Sequence, residues 1–397
     1  MGGHVVAGPS SPRLWMTVLM WVSSTDSGVA LSPELMVEHS AGMTARLREI
    51  PNDVAELLAR ELGVVTVASA ALAGVDESRL RRLRTAGLLT RLAPGSYVSS
   101  AALAAASAWE RHRLGAAAFV RSCAIPAFLT GWSAVVTWTL PTVGSPPELV
   151  QAVRSRAVRP RGVQAQAGVI RAVCIPAGQA RRQGLVGVMS REWAVADVAR
   201  TSPVPDALVV ADAAARAGAD LQVAVGHMRG WPGVHRARFV AAHADALAES
   251  PIESLGRFTC IEFDLPMPVS NAWVGADGPE FRVDGLWPFH WAVAEADGAV
   301  KYDNRPDASR IVARQGEREW RLRRLGLDVA RYGWELAAHH REELATRFTA
   351  LLRDNPPRGE PIRWWKHVPG VGPVDPEPSD WPTPHSAHIV LPAGWDR

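Results

Sequence analysis

The spacing of apolar positions first becomes regular just after Pro51. Val54, Leu57, Leu58 and Leu62 recur at helical intervals behind an Asn52 cap, and Gly63 ends the pattern, so a helix is expected there. A second short helix is expected from Thr66 to Gly74, and a third from Asp76 or Glu77 through Leu80 and Leu83 to Gly87. Leu88 to Leu92 then reads as a short strand, Pro94-Gly95 as a turn and Ser96-Tyr97-Val98 as the return strand. Three helices followed by a hairpin predict a winged helix-turn-helix over residues 51–103.

Downstream the pattern changes character. Residues 104–245 alternate apolar runs such as Ser133 to Leu140 with Pro- and Gly-marked turns, which predicts a mixed α/β middle domain. Glu192 to Arg200 and Asp206 to Arg216 read as two helices in it. Residues 246–352 form a third unit, in which Pro251 to Phe258 starts a helix with Glu253 in its first turn. Glu280 to Trp287 and Trp291 to Asp297 then alternate as strands. Residues 353–397 are Pro-rich, hold Trp364, Trp365, Trp381 and Trp395, and lack periodicity, so a tail or docking segment is expected. Residues 1–50 read as a Gly-, Ser- and Pro-rich tail. The expected fold class is α+β and multidomain, with an α/β C-terminal domain.

A length of 397 residues suits two to four compact units, and 47% hydrophobic with 21% charged residues excludes wholesale disorder. Three dispersed cysteines, Cys123, Cys174 and Cys260, include no C-x-x-C pair, which points to a reducing cytoplasm. No apolar stretch reaches the roughly 18–20 residues that span a bilayer, so no membrane partner is expected. The short run Leu14 to Val22 follows one arginine and precedes no clear cleavage site, so it reads as part of a loose start rather than a signal peptide.

The net charge of +3 conceals a local field. Residues 111–200 hold twelve arginines against Glu148, Glu192 and Asp197, an excess of nine positive charges that favours a polyanion as neighbour. Asp197 and Arg200, three apart on a helix, are expected as a surface ion pair. The third helix of the winged unit carries Arg79, Arg81, Arg82 and Arg84, and the hairpin adds Arg91. These are the places where such a fold meets DNA phosphates and the major groove. The same arginines also suit a solvated helix face or a protein-docking surface.

The run Gly87-Leu88-Leu89 followed by Arg91-Leu92-Ala93-Pro94-Gly95-Ser96-Tyr97 resembles the N-terminal domain of AbiEi-type antitoxins. That family regulates its own promoter through such a domain, so the resemblance implies a DNA-binding regulator, with a cognate toxin or self-association as further partners.

The third unit concentrates acids. Glu295 and Asp297 fall on one face of a strand because side chains repeat every two residues, and an adjacent antiparallel strand brings Asp284 beside them. Three half-buried carboxylates repel by several kcal/mol unless a cation compensates or some are protonated. Mg²⁺ on Asp284, Glu295 and Asp297 suits this better than zinc, since no His or Cys cluster accompanies them. His339-His340, adjacent on a helix, point in different directions and are not expected to bind metal. Lys301, one of only two lysines in the chain, stands four residues past Asp297 as a positive point charge. Read structurally, Asp284-Gly285 and Asp297-Gly298 are turn dipeptides and Glu253 favours a helix N-terminus.

The order of these residues resembles the PD-(D/E)XK nuclease superfamily, in particular a domain related to very-short-patch repair endonucleases. Its helix Glu-Ser falls on Glu253-Ser254, its strand aspartate on Asp284, and its E-x-D-G on Glu295-Ala296-Asp297-Gly298. Glu317-Arg318 and Leu322 to Gly326 match its following helix, and Arg331-Tyr332-Gly333-Trp334 its closing strand. Two departures stand out: Asp297 occupies the lysine position of E-x-K, and Lys301 stands where the family commonly has histidine. The resemblance implies a Mg²⁺-dependent DNA endonuclease with Glu253, Asp284, Glu295, Asp297 and Lys301 as its catalytic set. The alternative is a transcriptional regulator or antitoxin whose nuclease-like domain does not cleave.

Overall fold

The computed structural model describes residues 49–157, 168–298 and 308–396, with side chains from residue 315 in the last stretch. The expected tail up to residue 48 and Lys301 lie outside the described residues. Among the described residues the fold is mixed α/β with three sheets.

The N-terminal part holds α1 (Asn52–Arg60), β1 (Val65–Thr66), α2 (Val67–Leu72), α3 (Glu77–Thr85), β2 (Leu89–Ala93) and β3 (Ser96–Ser99). Pro51, not Asn52, precedes the first helical residue, and no side chain caps α1. Thr66 and Ser69 cap α2 reciprocally, each side-chain oxygen accepting the other's backbone N–H at 3.0–3.1 Å. Asp76 caps α3 by accepting the Arg79 N–H at 2.8 Å. Leu80 and Leu83 of α3 are buried with Val54, Leu57, Leu58 and Tyr97, so one stripe of the helix makes the core and the rest faces outward. The strands form a sheet in the order β1-β3-β2.

The middle part runs α4 (Ser100–Ala105), α5 (Ala108–Ser122), β4 (Phe128–Leu129), α6 (Gly131–Thr137), β5 (Val150–Ser155), β6 (Gly168–Val173), β7 (Ala180–Gln183) and β8 (Val186–Met189). Helices α7 (Arg191–Thr201), α8 (Val204–Arg216), α9 (Leu221–His227) and α10 (Val234–His243) follow. Its five strands lie in the order β6-β5-β4-β8-β7. The apolar run from Ser133 is the buried helix α6, and α7 is buried along nearly its whole length. The expected surface pair is therefore corrected. Asp197 and Arg200 do pair, at 2.6 Å, but their side chains are 3% and 6% exposed, because both faces of α7 are covered. Asp197 also accepts hydrogen bonds from Thr130 at 2.7 Å and from Arg171.

The C-terminal part comprises α11 (Pro251–Glu262), β9 (Val269–Val274), β10 (Phe281–Trp287), β11 (Ala292–Asp297), α12 (Ala308–Arg324), β12 (Asp328–Gly333), α13 (Trp334–His339), α14 (Arg341–Asp354), β13 (Trp364–Val368) and β14 (Gly372–Val374). The six strands lie in the order β12-β11-β10-β9-β13-β14, with β9, β10 and β11 an antiparallel meander and β12 parallel to β11. Alternate residues of this sheet serve two cores. Ala292 and Ala294 pack with Phe258 of α11 and Phe348 of α14, whereas Val283 and Val293 pack with Leu322 of α12 and Trp364. A Cβ on Gly256 of α11 would collide with the Tyr332 hydroxyl and ring, so glycine is what lets α11 lie against β12.

The C-terminal segment, expected as a tail or docking segment, packs on the edge of this sheet. Trp364 and Trp365 pair with Val274 and Trp273 of β9, and both are buried. Further on, Trp381 meets Trp364 edge to face, and Trp395 packs on Phe258 while its carbonyl accepts the Val204 N–H. Periodicity does not reveal this segment because its burial rests on a few large aromatic side chains rather than on a repeating stripe.

Candidate functional site

Two surfaces carry the expected chemistry. On α3, Arg81, Arg82 and Arg84 are exposed, and Arg91 is exposed on β2. Arg79 is not available in the same way. Its guanidinium grips both oxygens of Asp53 at 2.6 and 2.9 Å and so ties α3 to the first turn of α1. Arg81 pairs with Glu77 one turn back at 2.7 Å, an exposed contact of small stability value, and Arg91 donates to the Ala93 carbonyl at 3.3 Å. Arg82 and Arg84 have no ion pair among the described residues, which leaves them the most available cations of the helix.

The N-terminal unit is fastened to the middle domain by Arg121 of α5. This guanidinium donates to Glu61 at 2.7 Å, to the Val64 carbonyl, and to Thr66 Oγ1 and Ser69 Oγ at 3.2 Å. The last two oxygens are the reciprocal cap of α2. Arg121 therefore holds the start of the second helix through side chains that are almost fully buried. No sequence signal marks this contact, since the partners are 52 to 60 residues apart.

The second surface is the acidic cluster of the C-terminal sheet. Glu253 follows the Ser250 cap of α11, where its carboxylate accepts the Ser250 hydroxyl at 2.6 Å, the Glu249 N–H at 2.9 Å and the Asn271 amide at 2.8 Å. Asn271 is buried in β9 with φ 51°, a left-handed conformation that asparagine tolerates. Asp284 lies one step beyond the Gly285–Ala294 pair of the β10–β11 ladder, and so opposite Glu295. It accepts the Ala296 N–H at 2.7 Å. Glu295 accepts from Arg318 of α12 at 2.8 Å, and Asp297 is gripped by Arg331 of β12 at 2.8 and 3.0 Å.

Burial raises the pKa of Glu253, Asp284 and Glu295 alike. For Glu295 it is pushed up to about 7, with burial outweighing Arg318 and the Asp284 charge adding to the rise. Tyr332, pushed well up by burial and by these acids, closes the cluster from β12. A cavity of about 10 Å³ between Glu253, Arg257, Ser270, Asp284 and Tyr332 is the size of about one water molecule.

The structure thus brings Glu253, Asp284 and Glu295 into one neighbourhood, as their order in the chain leads one to expect. Among the described residues no three His, Cys, Asp or Glu side chains form a group that could hold a metal ion. Asp284, Glu295 and Asp297, the expected Mg²⁺ set, are not such a group. Arginines meet two of the three acids, Arg318 at Glu295 and Arg331 at Asp297, although burial still outweighs Arg318 at Glu295. Arg331 is the register partner of Glu295 on β12, and its own pKa is raised by the Asp297 bonds. The sequence motif contained both arginines, but their pairing with these acids depends on β12 lying parallel beside β11.

No helix among the described residues is long and apolar enough to cross a membrane. Comparison with known proteins finds likeness to part of the chain. Two uncharacterized proteins from strains of Mycobacterium tuberculosis, MT2308 and Rv2248, are each 38% identical over 101 residues, which is 24% of this chain and 37% of theirs. The chain thus spans little more than a third of the length of those curated relatives. The crystal structure of the RV2827C protein from Mycobacterium tuberculosis aligns with 52% of this chain and 81% of its own, at 17% identity and a TM-score of 0.29. Residues 52–100, the segment from α1 through β3, match the family model described as transcriptional regulator, AbiEi antitoxin.

Proposed function

We propose that the protein is a DNA-binding transcriptional regulator of the AbiEi antitoxin type, with α3 and the β2–β3 hairpin as a winged helix-turn-helix that contacts DNA. Its nuclease-like C-terminal domain acts in this reading as a non-cleaving module, and a cognate toxin is its expected protein partner. The observation that carries the proposal is the family match over the segment whose third helix presents Arg82 and Arg84 exposed and without an ion pair among the described residues. The pairing of Glu295 with Arg318 and of Asp297 with Arg331 supports the non-cleaving part.

The test is binding of the full chain to duplexes from its own promoter region, followed by fluorescence anisotropy. Replacing Arg82 and Arg84 together by alanine is expected to weaken binding at least tenfold, since a base-reading arginine contributes about 1–3 kcal/mol and 1.4 kcal/mol is a factor of ten. Binding unchanged by that double substitution would remove α3 as the contact.

A second reading, a Mg²⁺-dependent endonuclease, draws support from three carboxylates whose pKa values are all raised in one cluster. It requires that wild-type protein nick supercoiled plasmid when Mg²⁺ is added. Nicking is expected to be absent. If it is present and is lost in both Asp284→Ala and Glu295→Ala, the enzyme reading replaces the non-cleaving one.

A further inference from the structure

The turn between β10 and β11, Trp287 to Trp291, gathers distant parts of the chain. Its Pro288 and Phe289 carbonyls accept the Ile362 and Arg358 N–H groups at 3.0 and 2.8 Å, and Phe289 meets Trp381 edge to face at 5.9 Å. At its centre His290 is 5% exposed and uses both ring nitrogens: Nδ1 lies 2.7 Å from the Asn355 carbonyl oxygen and Nε2 2.9 Å from that of Pro384. A carbonyl oxygen only accepts, so the two bonds require an N–H on each nitrogen, and only the imidazolium ring has both. Asn355 also ends α14, where the last carbonyls of a 14-residue helix favour a cation. The next residue, Trp291, has φ 51°, a left-handed conformation that a bulky residue keeps only when its surroundings impose it.

Pro384 opens the last stretch of the chain, which runs back to the middle domain. Ser386 and His388 bond Asp264 beyond the end of α11, and His235 and Arg236 of α10 bond the Ala393 and Gly394 carbonyls. The Trp395 carbonyl accepts the Val204 N–H of α8 at 2.7 Å. We propose that His290 is a proton-operated clasp, whose doubly bonded ring ties this strap to the end of α14 and whose loss of one ring proton loosens the strap from the C-terminal sheet and from α8. The neutral ring keeps a single N–H. Its bare nitrogen then turns a lone pair toward a carbonyl oxygen, a repulsive contact at a buried ring. The strap is therefore held at acid pH and loosens as the pH rises. The charged and titratable groups around the ring are Asp264 after α11, Arg353 of α14 and His385 of the strap, which line one cavity with it. Arg358 stacks on the neighbouring Trp291 at 4.8 Å, and Asp328 of β12 accepts from the Asn355 amide at 3.2 Å. The His388–Asp264 pair acts in the same direction, but at 81% and 51% exposure it adds little.

The experiment follows backbone hydrogen exchange of the full chain by mass spectrometry at about pH 6 and about pH 8.5, each rate divided by the intrinsic rate at that pH. In wild type, protection of Val204 and of residues 385–395 is expected to fall at least about tenfold between the two, the effect of losing about 1.4 kcal/mol with one charge-assisted bond. Protection of β5, in the middle sheet, should not change. His290→Phe keeps a ring and has no donor, so it should show the low protection at both pH values, whereas His388→Ala should keep the wild-type dependence. Equal protection of the strap at both pH values in wild type overturns the proposal, as does a wild-type dependence that survives in His290→Phe. Should that variant fail to fold, nitrogen-15 spectra of the wild-type histidine rings decide: the His290 ring is expected to carry two N–H groups at about pH 6, and a ring with one overturns the clasp.

Discussion

Arg121→Met is expected to lower the unfolding free energy by about 3–5 kcal/mol, the range for breaking a buried ion pair from one side. Both partners are almost entirely withdrawn from water, at 6% and 2% side-chain exposure. Removing the guanidinium strands the Glu61 carboxylate and also leaves the Val64 carbonyl and the Thr66–Ser69 cap without their shared donor. The double variant Glu61→Gln/Arg121→Met should recover a large part of the loss, because no charge is then left buried alone. Urea denaturation of the four proteins in a double-mutant cycle checks this, and strictly additive losses would show that the pair is not coupled. Since Arg121 holds the start of α2, the single variant should also weaken DNA binding at temperatures where it is still folded.

Glu295→Gln is expected to stabilise the protein at pH 8 by about 3 kcal/mol and to leave it unchanged at pH 4. The carboxyl titrates near 7 in the folded chain against an ordinary value of 4.5, and each pKa unit corresponds to about 1.36 kcal/mol. The sign follows from the direction. With its pKa raised by burial, Glu295 favours the folded state fully below pH 4.5, when it is protonated in both states. That contribution is lost as the pH rises through 7, where the folded chain must hold the carboxylate in a site that disfavours it. Glutamine copies the protonated form and removes this group's share of the pH dependence, while Glu253 and Asp284 keep theirs. Arg318, whose side chain is 36% exposed, retains water as a partner in the variant. Urea midpoints at the two pH values decide the matter, and a variant less stable than wild type at pH 8 would show that the Arg318 pair outweighs burial.

Much of the N-terminal unit was legible along the chain because its signals are local. Leu80 and Leu83 at helical spacing, Asp76 before the third helix, and Pro94-Gly95 between two short apolar runs each act within a few residues. The strands carrying Asp284 and Glu295 were legible for the same reason, through alternation, and their antiparallel pairing places the two acids opposite each other. The buried character of Asp197 was not legible. An aspartate and an arginine three apart on a helix look alike whether the helix faces water or a sheet, and only Thr130 and Arg171, 67 and 26 residues away, make the difference. The burial of Trp364 was hidden likewise, since a strand at the end of a Pro-rich segment is defined by the β9 edge that receives it.

The sequence by itself determined which residues form the helices and strands and where acids and arginines stand along them, because hydrophobic period and capping are settled over a few positions. Only the tertiary structure decided which charge meets which. Arg331 is far from Asp297 in the chain yet grips it once β12 lies parallel to β11, and Arg121 reaches the α2 cap once α5 packs beside it. Close, water-excluded charge pairs depend on how distant segments fold together, and that is why the arginine partners of Glu295 and Asp297 could not be read from the spacing of the acids themselves.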